Sequence, residues 1–264
     1  MRKADFAVIG GTGVYNPNML TESEDIPVDT PFGTVNLKIG RLKEKTIAFL
    51  PRHGARHSVP PHKINYRANI MALGKIGVKK VIATAAVGSL NREMEPGHLV
   101  LIDQFIDFTK GRIQTFYEGG ARGVLHVDMS NPYCPQLRQA ILASCPPEIK
   151  LHNGGNYVCT EGPRFETPAE INMFRQWEGD LVGMTSVPEV VLAKELGLCY
   201  AGIAMVTNFA AGISPHPLTH QEVVETMQEN TQNLQKLIME TLNNLDGERS
   251  CFCPEANKEA GNFS

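Results

Sequence analysis

A layered α/β domain is the fold class this sequence predicts. Short apolar runs rich in β-branched residues alternate along the chain with helix-like stretches. Several of those runs are apolar at consecutive positions, as suits strands covered on both faces. The composition agrees: 42% hydrophobic and 20% charged residues in 264 are ordinary globular proportions, which exclude a disordered or fibrous chain.

In chain order, residues 4–9 and 46–50 read as strands and 65–76 as a helix. Strands at 80–85 and 99–102 follow, then a helix at 135–143 and a strand at 157–159. Helices at 168–177 and 187–196 flank no further strand until 200–206. The last element, 220–245, carries Val223, Met227, Leu234, Ile238 and Leu245 in a stripe close to helical period. No internal repeat or linker divides the chain, so residues 1–245 are read as one domain. Residues 246–264 are polar, with Gly247, Pro254 and Gly261, and are read as a loose tail.

Three helix starts share a Ser/Thr-x-x-Glu box. They are Thr167-Pro168-Ala169-Glu170, Ser186-Val187-Pro188-Glu189 and Thr219-His220-Gln221-Glu222. Each is ordinary helix punctuation. Residues just ahead of such caps also sit at positive helix ends, where backbone N–H groups favour an anion or an electron-rich ligand.

The formal net charge is −3. A nucleic-acid sleeve or a binder of anionic membranes wants a basic surplus, so both are disfavoured. No apolar run approaches the roughly 20 residues of a membrane span, and the run after Arg2-Lys3 ends at Ile9, too short for a signal-peptide core. The expectation is a soluble, cytoplasmic protein. Its 6 cysteines lie in unlike contexts and are not needed as a disulfide scaffold; Cys251-Phe252-Cys253 is too close-spaced for a typical structural zinc half-site and is read as free thiols or a redox-sensitive pair.

Candidate chemistry gathers at strand ends. Ile9-Gly10-Gly11-Thr12-Gly13 is a glycine turn that lets backbone approach an oxyanion, with the Thr12 hydroxyl as a donor. A dinucleotide fingerprint would need a further glycine where Asn16 stands, and a plain tight turn is the bland alternative. Pro51-Arg52-His53-Gly54-Ala55-Arg56-His57 is a cationic loop whose arginines match phosphate geometry; a solvated basic turn is its alternative, and a metal site lacks a nearby cysteine or carboxylate. In Ala83-Thr84-Ala85-Ala86-Val87-Gly88-Ser89, small residues let backbone amides face a ligand. Within Glu161-Gly162-Pro163-Arg164-Phe165-Glu166-Thr167, Phe165 can stack on a flat ring and Glu166 can accept a ring N–H. Gly183-Met184-Thr185-Ser186 precedes a capped helix. Val206-Thr207-Asn208-Phe209-Ala210 ends a strand, where open α/β sheets bind ligands, and the Asn208 amide offers both donor and acceptor. Met184 and His126 taken alone read as core packing and as a hydrogen-bonded fold residue.

Taken together, these segments resemble the purine nucleoside phosphorylase and methylthioadenosine phosphorylase family. The motifs that carry the resemblance run in order from about Phe6 to about Leu245. They are Gly10-Gly11-Thr12-Gly13, Arg52-His53-Gly54, Asn65-Tyr66-Arg67-Ala68-Asn69, Gly162-Pro163-Arg164-Phe165, Met184-Thr185 with Pro188-Glu189, and Thr207-Asn208. The resemblance implies a single α/β domain, a mixed central sheet flanked by helices, commonly assembled as a homotrimer or a dimer of trimers. It implies reversible phosphorolysis of a purine nucleoside to free base and ribose 1-phosphate, with phosphate as co-substrate and neither metal nor organic cofactor. Phosphate would be held by Thr12, Arg52, His53, Thr185 and the backbone of Ala85 and Ala86. Met184 would lie under the ribose, Phe165, Asn208 and Ala210 would meet the base, and Val223 and Met227 would line the sugar's 5′ end. His126 would reach the neighbouring subunit's site.

The family's branches differ at readable points. The methylthioadenosine branch has aspartates where this chain has Asn208 and Ala210, so the resemblance favours 6-oxopurine nucleosides, inosine and guanosine. The chemistry agrees: Asn208 can donate to O6 or N7, and Glu166 can accept from N1–H, while a buried mismatch costs about 1–3 kcal/mol. These two are the expected catalytic residues, stabilising the leaving base. His220 stands where a histidine would bond the ribose 5′-hydroxyl, and is equally readable as helix surface. S-methyl-5′-thioinosine or S-methyl-5′-thioadenosine phosphorolysis is the alternative. A non-catalytic nucleotide-binding module is a rival from another class; a nucleoside hydrolase would need an aspartate cluster for calcium that is absent.

Overall fold

The computed structural model describes residues 2–10, 14, 20–54, 58–214 and 220–258, with side chains of 220–229 left aside. Strands β1 (Phe6–Gly10), β2 (Thr21–Thr30), β3 (Gly33–Leu42) and β4 (Lys45–Pro51) precede helix α1 (Tyr66–Lys75). Next come β5 (Lys80–Ser89), β6 (Leu99–Leu101), β7 (Gln104–Phe108), α2 (Pro135–Ala143), β8 (Leu151–Asn153) and β9 (Asn156–Thr160). The chain continues with α3 (Pro168–Gln176), β10 (Leu181–Gly183), α4 (Ser186–Glu195), β11 (Cys199–Phe209) and α5 (His220–Asn244).

The sheet is mixed, as expected. Its main path runs β2-β3-β4-β1-β5-β10-β9-β7, and β11 lies along the other edge of β5 and carries β6 and β8. Alternation along β1 divides the core. Ala7 and Ile9 pack with Ile70 and Leu73 of α1 and Val190 and Leu192 of α4. Phe6 and Val8 face the opposite side, with Leu137 and Ile141 of α2 and Leu237, Ile238 and Leu242 of α5. Each such buried aliphatic or aromatic side chain contributes roughly 1.5–3 kcal/mol of burial free energy. Among the described residues no helix is long and apolar enough to cross a membrane.

The hairpin β2–β3 was not expected from the sequence. Its first strand opens Thr21-Glu22-Ser23-Glu24-Asp25 and is largely exposed, a composition that hides a strand. It is held by pairing with β3, through a tight turn closed at Thr30 and Gly33, where Gly33 has φ +128. The tail also differs from expectation. Lys80 Nζ donates to the Asp246 carbonyl at 2.8 Å, Arg249 donates to the Gly197 carbonyl at 3.0 Å, and Cys253 is buried. Residues 246–258 are therefore docked on the domain rather than loose, because two basic side chains and an apolar sulfur find partners there.

Candidate active site

Strand β5 organises the site. Along one edge it pairs parallel with β1 at Lys80, Val81, Ile82 and Ala83, then antiparallel with β10 at Gly88 and Ser89. Between those partners the strand edge passes from one neighbour to the other, and a crevice opens there, the usual place for a ligand in an open α/β sheet. The crevice is a cavity of about 290 Å³. Arg52, His53, Ala85, Ala86, Phe165, Glu166, Met184, Thr185, Asn208 and Ala210 all line it, so residues far apart in sequence converge as expected.

One half of the cavity gathers Arg52, His53, Ala86 and Thr185. The Thr84 carbonyl faces the crevice and accepts from Arg52 Nη1 at 2.7 Å. Peptide groups of alternate residues share a strand edge, so those of Ala86 face the crevice as well. Thr185 occupies the N-cap position of α4, and its N–H donates to the Tyr157 hydroxyl at 3.2 Å. His53 Nδ1 lies 2.9 Å from the Val59 carbonyl, which can only accept, so in the neutral ring that nitrogen carries the proton.

Arg52 does more than the sequence suggests. Its Nε and Nη2 donate to the two Glu189 oxygens, each at 2.7 Å, and the Tyr200 hydroxyl donates to Glu189 Oε1 at 2.7 Å. Burial works against the Arg52 charge, and the adjoining Glu189 carboxylate more than restores it, so its pKa lies above the usual value. Each terminal nitrogen of Arg52 keeps a second N–H beyond these bonds. The pair is neutral overall, so an anion in this half would be held by directed hydrogen bonds more than by net charge.

The same bonds correct the capping box read at Ser186. Glu189 is committed to Arg52, Ser186 Oγ shares a 2.6 Å hydrogen bond with the Tyr133 hydroxyl, and Val187 has non-helical backbone angles. The box at Thr167 is present as read, with Thr167 Oγ1 accepting from the Glu170 N–H at 3.2 Å and Glu170 Oε2 accepting from the Thr167 N–H at 2.7 Å. It starts α3 immediately after Phe165 and Glu166. The box at Thr219 lies outside the described residues.

The other half suits a flat polar ring. A register shift between Val206 and Asn208 leaves Thr207 as an extra residue in β11, and such a bulge re-aims the side chain that follows. Asn208 Nδ2 donates to the Phe209 carbonyl at 2.9 Å, which fixes the amide's sense, and Oδ1 accepts from Thr207 Oγ1 at 2.8 Å. A second Nδ2 hydrogen remains beyond that bond. Gly88 makes room for this amide: a Cβ there would sit 3.3 Å from Asn208 Nδ2 and 3.3 Å from Val182 Cγ1. Glu166 Oε1 accepts from Thr160 Oγ1 at 2.7 Å, and burial raises its carboxyl pKa. Phe165 is 56% exposed at the rim.

The loops carrying these halves are tied by Arg112, which sequence reasoning missed. Its guanidinium, only 3% exposed, donates to the carbonyls of Thr160 and Glu161 on one side and of Met184 and Val187 on the other. Lys110-Gly111-Arg112 lies in a polar stretch with no motif, so nothing local announces it. Glu189 was visible as a helix-start glutamate and as part of the Pro188-Glu189 motif but without its partner, Tyr157 and Tyr200 only as strand residues, and Thr160 not at all.

Other expected residues lie elsewhere. Thr12, with Arg56 and His57 of the cationic loop, is outside the described residues, as are the side chains of His220, Val223 and Met227. Helix α5 does reach the cavity, through Leu234. His126 is exposed and lies away from the cavity of its own chain.

This geometry coincides with relatedness along the whole chain. Residues 5–243 match the family model described as the phosphorylase superfamily. A Moorella thermoacetica protein described as a probable 6-oxopurine nucleoside phosphorylase is 56% identical over 248 residues, covering 94% of this chain and 95% of that protein. A Pyrococcus furiosus protein described as 6-oxopurine nucleoside phosphorylase is 50% identical over 260 residues, covering 96% and 98%. Among solved structures, methylthioadenosine phosphorylase from Schistosoma mansoni in complex with adenine superposes with a TM-score of 0.90 at 34% identity, covering 97% of each chain. The crevice beside β5, its converging residues and these relatives together place this chain in the phosphorylase superfamily.

Proposed function

We propose that this protein is a purine nucleoside phosphorylase acting on 6-oxopurine nucleosides, with inosine and guanosine as substrates. One observation carries the reading: Arg52 and Thr185 line the same cavity as Glu166 and Asn208. An oxyanion fits the first pair and a keto-bearing purine the second. The two relatives named for 6-oxopurine nucleosides support the same choice of base.

In the proposed reaction a phosphate oxygen attacks C1′ of the ribose from the face opposite the base. The C1′–O bond forms as the C1′–N9 bond breaks, and the bonding pair leaves with the purine. Ribose 1-phosphate and the free base result, the base taking its proton from the surrounding water or phosphate. Positive charge on the sugar is offset by the bound phosphate. Negative charge on the purine is stabilised by the Asn208 N–H at O6 or N7, while Glu166 holds N1–H. This is positional and electrostatic catalysis without an enzyme nucleophile. Phosphate ligands are assigned as Thr12, Arg52, His53, Thr185 and the backbone of Ala86; the Ala85 peptide, expected beside it, lies on the β11 edge of the strand. Met184 underlies the ribose, Phe165 and Ala210 flank the base, and His220, Val223 and Met227 of α5 surround the 5′ end. No metal or organic cofactor is assigned to the reaction.

The reading extends to a homotrimer in which His126 completes a neighbouring site, and to purine salvage in the cytoplasm. The exposure of His126 outside its own cavity supports the first of these. A second reading concerns only the sugar. Apolar Val14 and Leu234 line the cavity, and a 5′-methylthio group would suit such a wall. One panel tests both: inosine, guanosine, adenosine and the 5′-methylthio forms, each with and without phosphate. Phosphate-dependent release of hypoxanthine and guanine is expected. Release without phosphate, or a preference for adenine nucleosides, would overturn the assignment.

A further inference from the structure

Far from the crevice, at the opposite end of β11, four cysteines meet. Cys134 is the N-cap residue of α2, Cys199 opens β11, and Cys251 and Cys253 lie on the docked C-terminal segment. Their four Sγ atoms all lie within 4.8 Å of one another, and the Cys199 and Cys251 sulfurs are 3.4 Å apart. Cys134, Cys199 and Cys253 are buried in the core layer formed by α2 and α5, and Cys251 is half-buried against it. The remaining two cysteines, Cys145 and Cys159, stand outside this group.

We propose that Cys134, Cys199, Cys251 and Cys253 hold one zinc ion, or another soft divalent cation, as a closed structural site. Zinc–thiolate bonds of about 2.3 Å set tetrahedral sulfurs about 3.8 Å apart, the scale of this cluster. A disulfide needs sulfurs at about 2.05 Å, taken two by two, whereas here all four lie within 4.8 Å of one another as a single group. Cys251-Phe252-Cys253 alone is too tight a spacing to suggest a site. The fold supplies the other half by bringing up the starts of α2 and β11.

The surroundings suit thiolates. The Leu137 N–H donates to Cys134 Sγ at 3.4 Å from the first turn of α2, whose positive end favours negative charge on that sulfur. Close approach of the segment is permitted by Gly197, with φ +66, where a Cβ would sit 3.2 Å from the Cys253 carbonyl. Binding would exchange four thiol protons for the cation, giving a tetrathiolate of net charge −2 and releasing those protons to solvent. With no open position and no contact with the cavity, such a site staples the C-terminal segment to the sheet and leaves the phosphorolysis chemistry alone.

The test uses the full-length protein, reduced and desalted without chelator. Elemental analysis is expected to find about one zinc per chain. Cobalt added to the reduced, metal-free protein should give the intense visible bands of a tetrahedral thiolate complex. In a separate sample purified without any reductant, all 6 cysteines should titrate as thiols in denaturant with chelator. Cys251→Ser should lose the metal and lower the thermal midpoint by at least about 5 °C, with kcat unchanged at moderate temperature. Cys145→Ser should retain the metal. The proposal is overturned if the reduced protein takes up neither zinc nor cobalt, if fewer thiols titrate because pairs are oxidised, or if Cys145→Ser loses metal as readily as Cys251→Ser. The cobalt spectrum of the unaltered protein decides the matter even where Cys251→Ser fails to fold.

Discussion

Arg52 and Glu189 meet through two parallel hydrogen bonds of 2.7 Å, with side-chain exposures of 3% and 0%. They are 137 residues apart in sequence, and their union fixes the loop after β4 against the start of α4. The geometry is the fork-to-carboxylate match that gives arginine its advantage over lysine. Removing one partner of such a buried pair strands the other charge. Glu189→Gln is therefore expected to destabilise the protein by about 3–5 kcal/mol, read as a lower urea midpoint at unchanged slope. A loss under about 1 kcal/mol would mean that the pair is not the strut described.

Asn208→Asp replaces the donor amide by an acceptor. Inosine kcat/KM should fall by about 10- to 100-fold, the equivalent of one unpaired buried polar contact, while adenosine gains relative to inosine. Steady-state phosphorolysis of both nucleosides measures the ratio. Unchanged inosine turnover would remove Asn208 from the base pocket.

Glu166 predicts a pH effect of definite sign. Burial raises its pKa, and the carboxylate accepts N1–H more strongly than the neutral acid does. As pH falls through that raised value the charged acceptor gives way to the weaker carbonyl of the neutral acid, so the KM for inosine should climb on the acid side. Glu166→Gln keeps a carbonyl acceptor but no proton to titrate, so this acid limb should flatten while kcat/KM near neutrality drops about tenfold. The stability of the unliganded protein runs the other way. The folded state holds this proton more tightly than the unfolded one, so its contribution is present at low pH and fades as pH rises through the raised value. An acid limb that survives intact in Glu166→Gln would assign the titration to another group.

Arg112→Lys tests the clamp between the two ligand-bearing loops. A lysine cannot satisfy carbonyls on both sides as the planar guanidinium does. Losing one or two charged hydrogen bonds should lower kcat/KM for inosine about tenfold or more, with most of the change in KM, and lower the thermal midpoint. A fall in thermal midpoint with kinetics untouched would make Arg112 structural only.

Much of this was legible in the sequence wherever the signal is local. Helix α2 begins and ends at the expected residues, and α3 starts at the Thr167 box because the residues that cap it are neighbours in sequence. The hairpin was hidden by the charges of β2, although Val35, Leu37 and Ile39 alternate as a half-buried strand should. Most site side chains were found because glycine turns and strand ends mark them. Glu189 and Arg112 were not, since what defines each is a partner many residues away, and no window of sequence contains both. The docking of residues 246–258 escaped for the same reason: Lys80 and Gly197 give no hint of what will cover them.

The divided edge of β5 has an evolutionary consequence. On the anion side of the proposed site, recognition rests in part on main-chain groups, which no single codon change can replace, and in part on Arg52, whose loss would also strand the buried Glu189. On the proposed purine side it rests on the side chains of Asn208 and Glu166, which line the cavity beside Ala210. Choice of nucleobase can thus drift by point mutation while the oxyanion cradle is inherited intact, so one scaffold can serve keto- and aminopurine specialists alike.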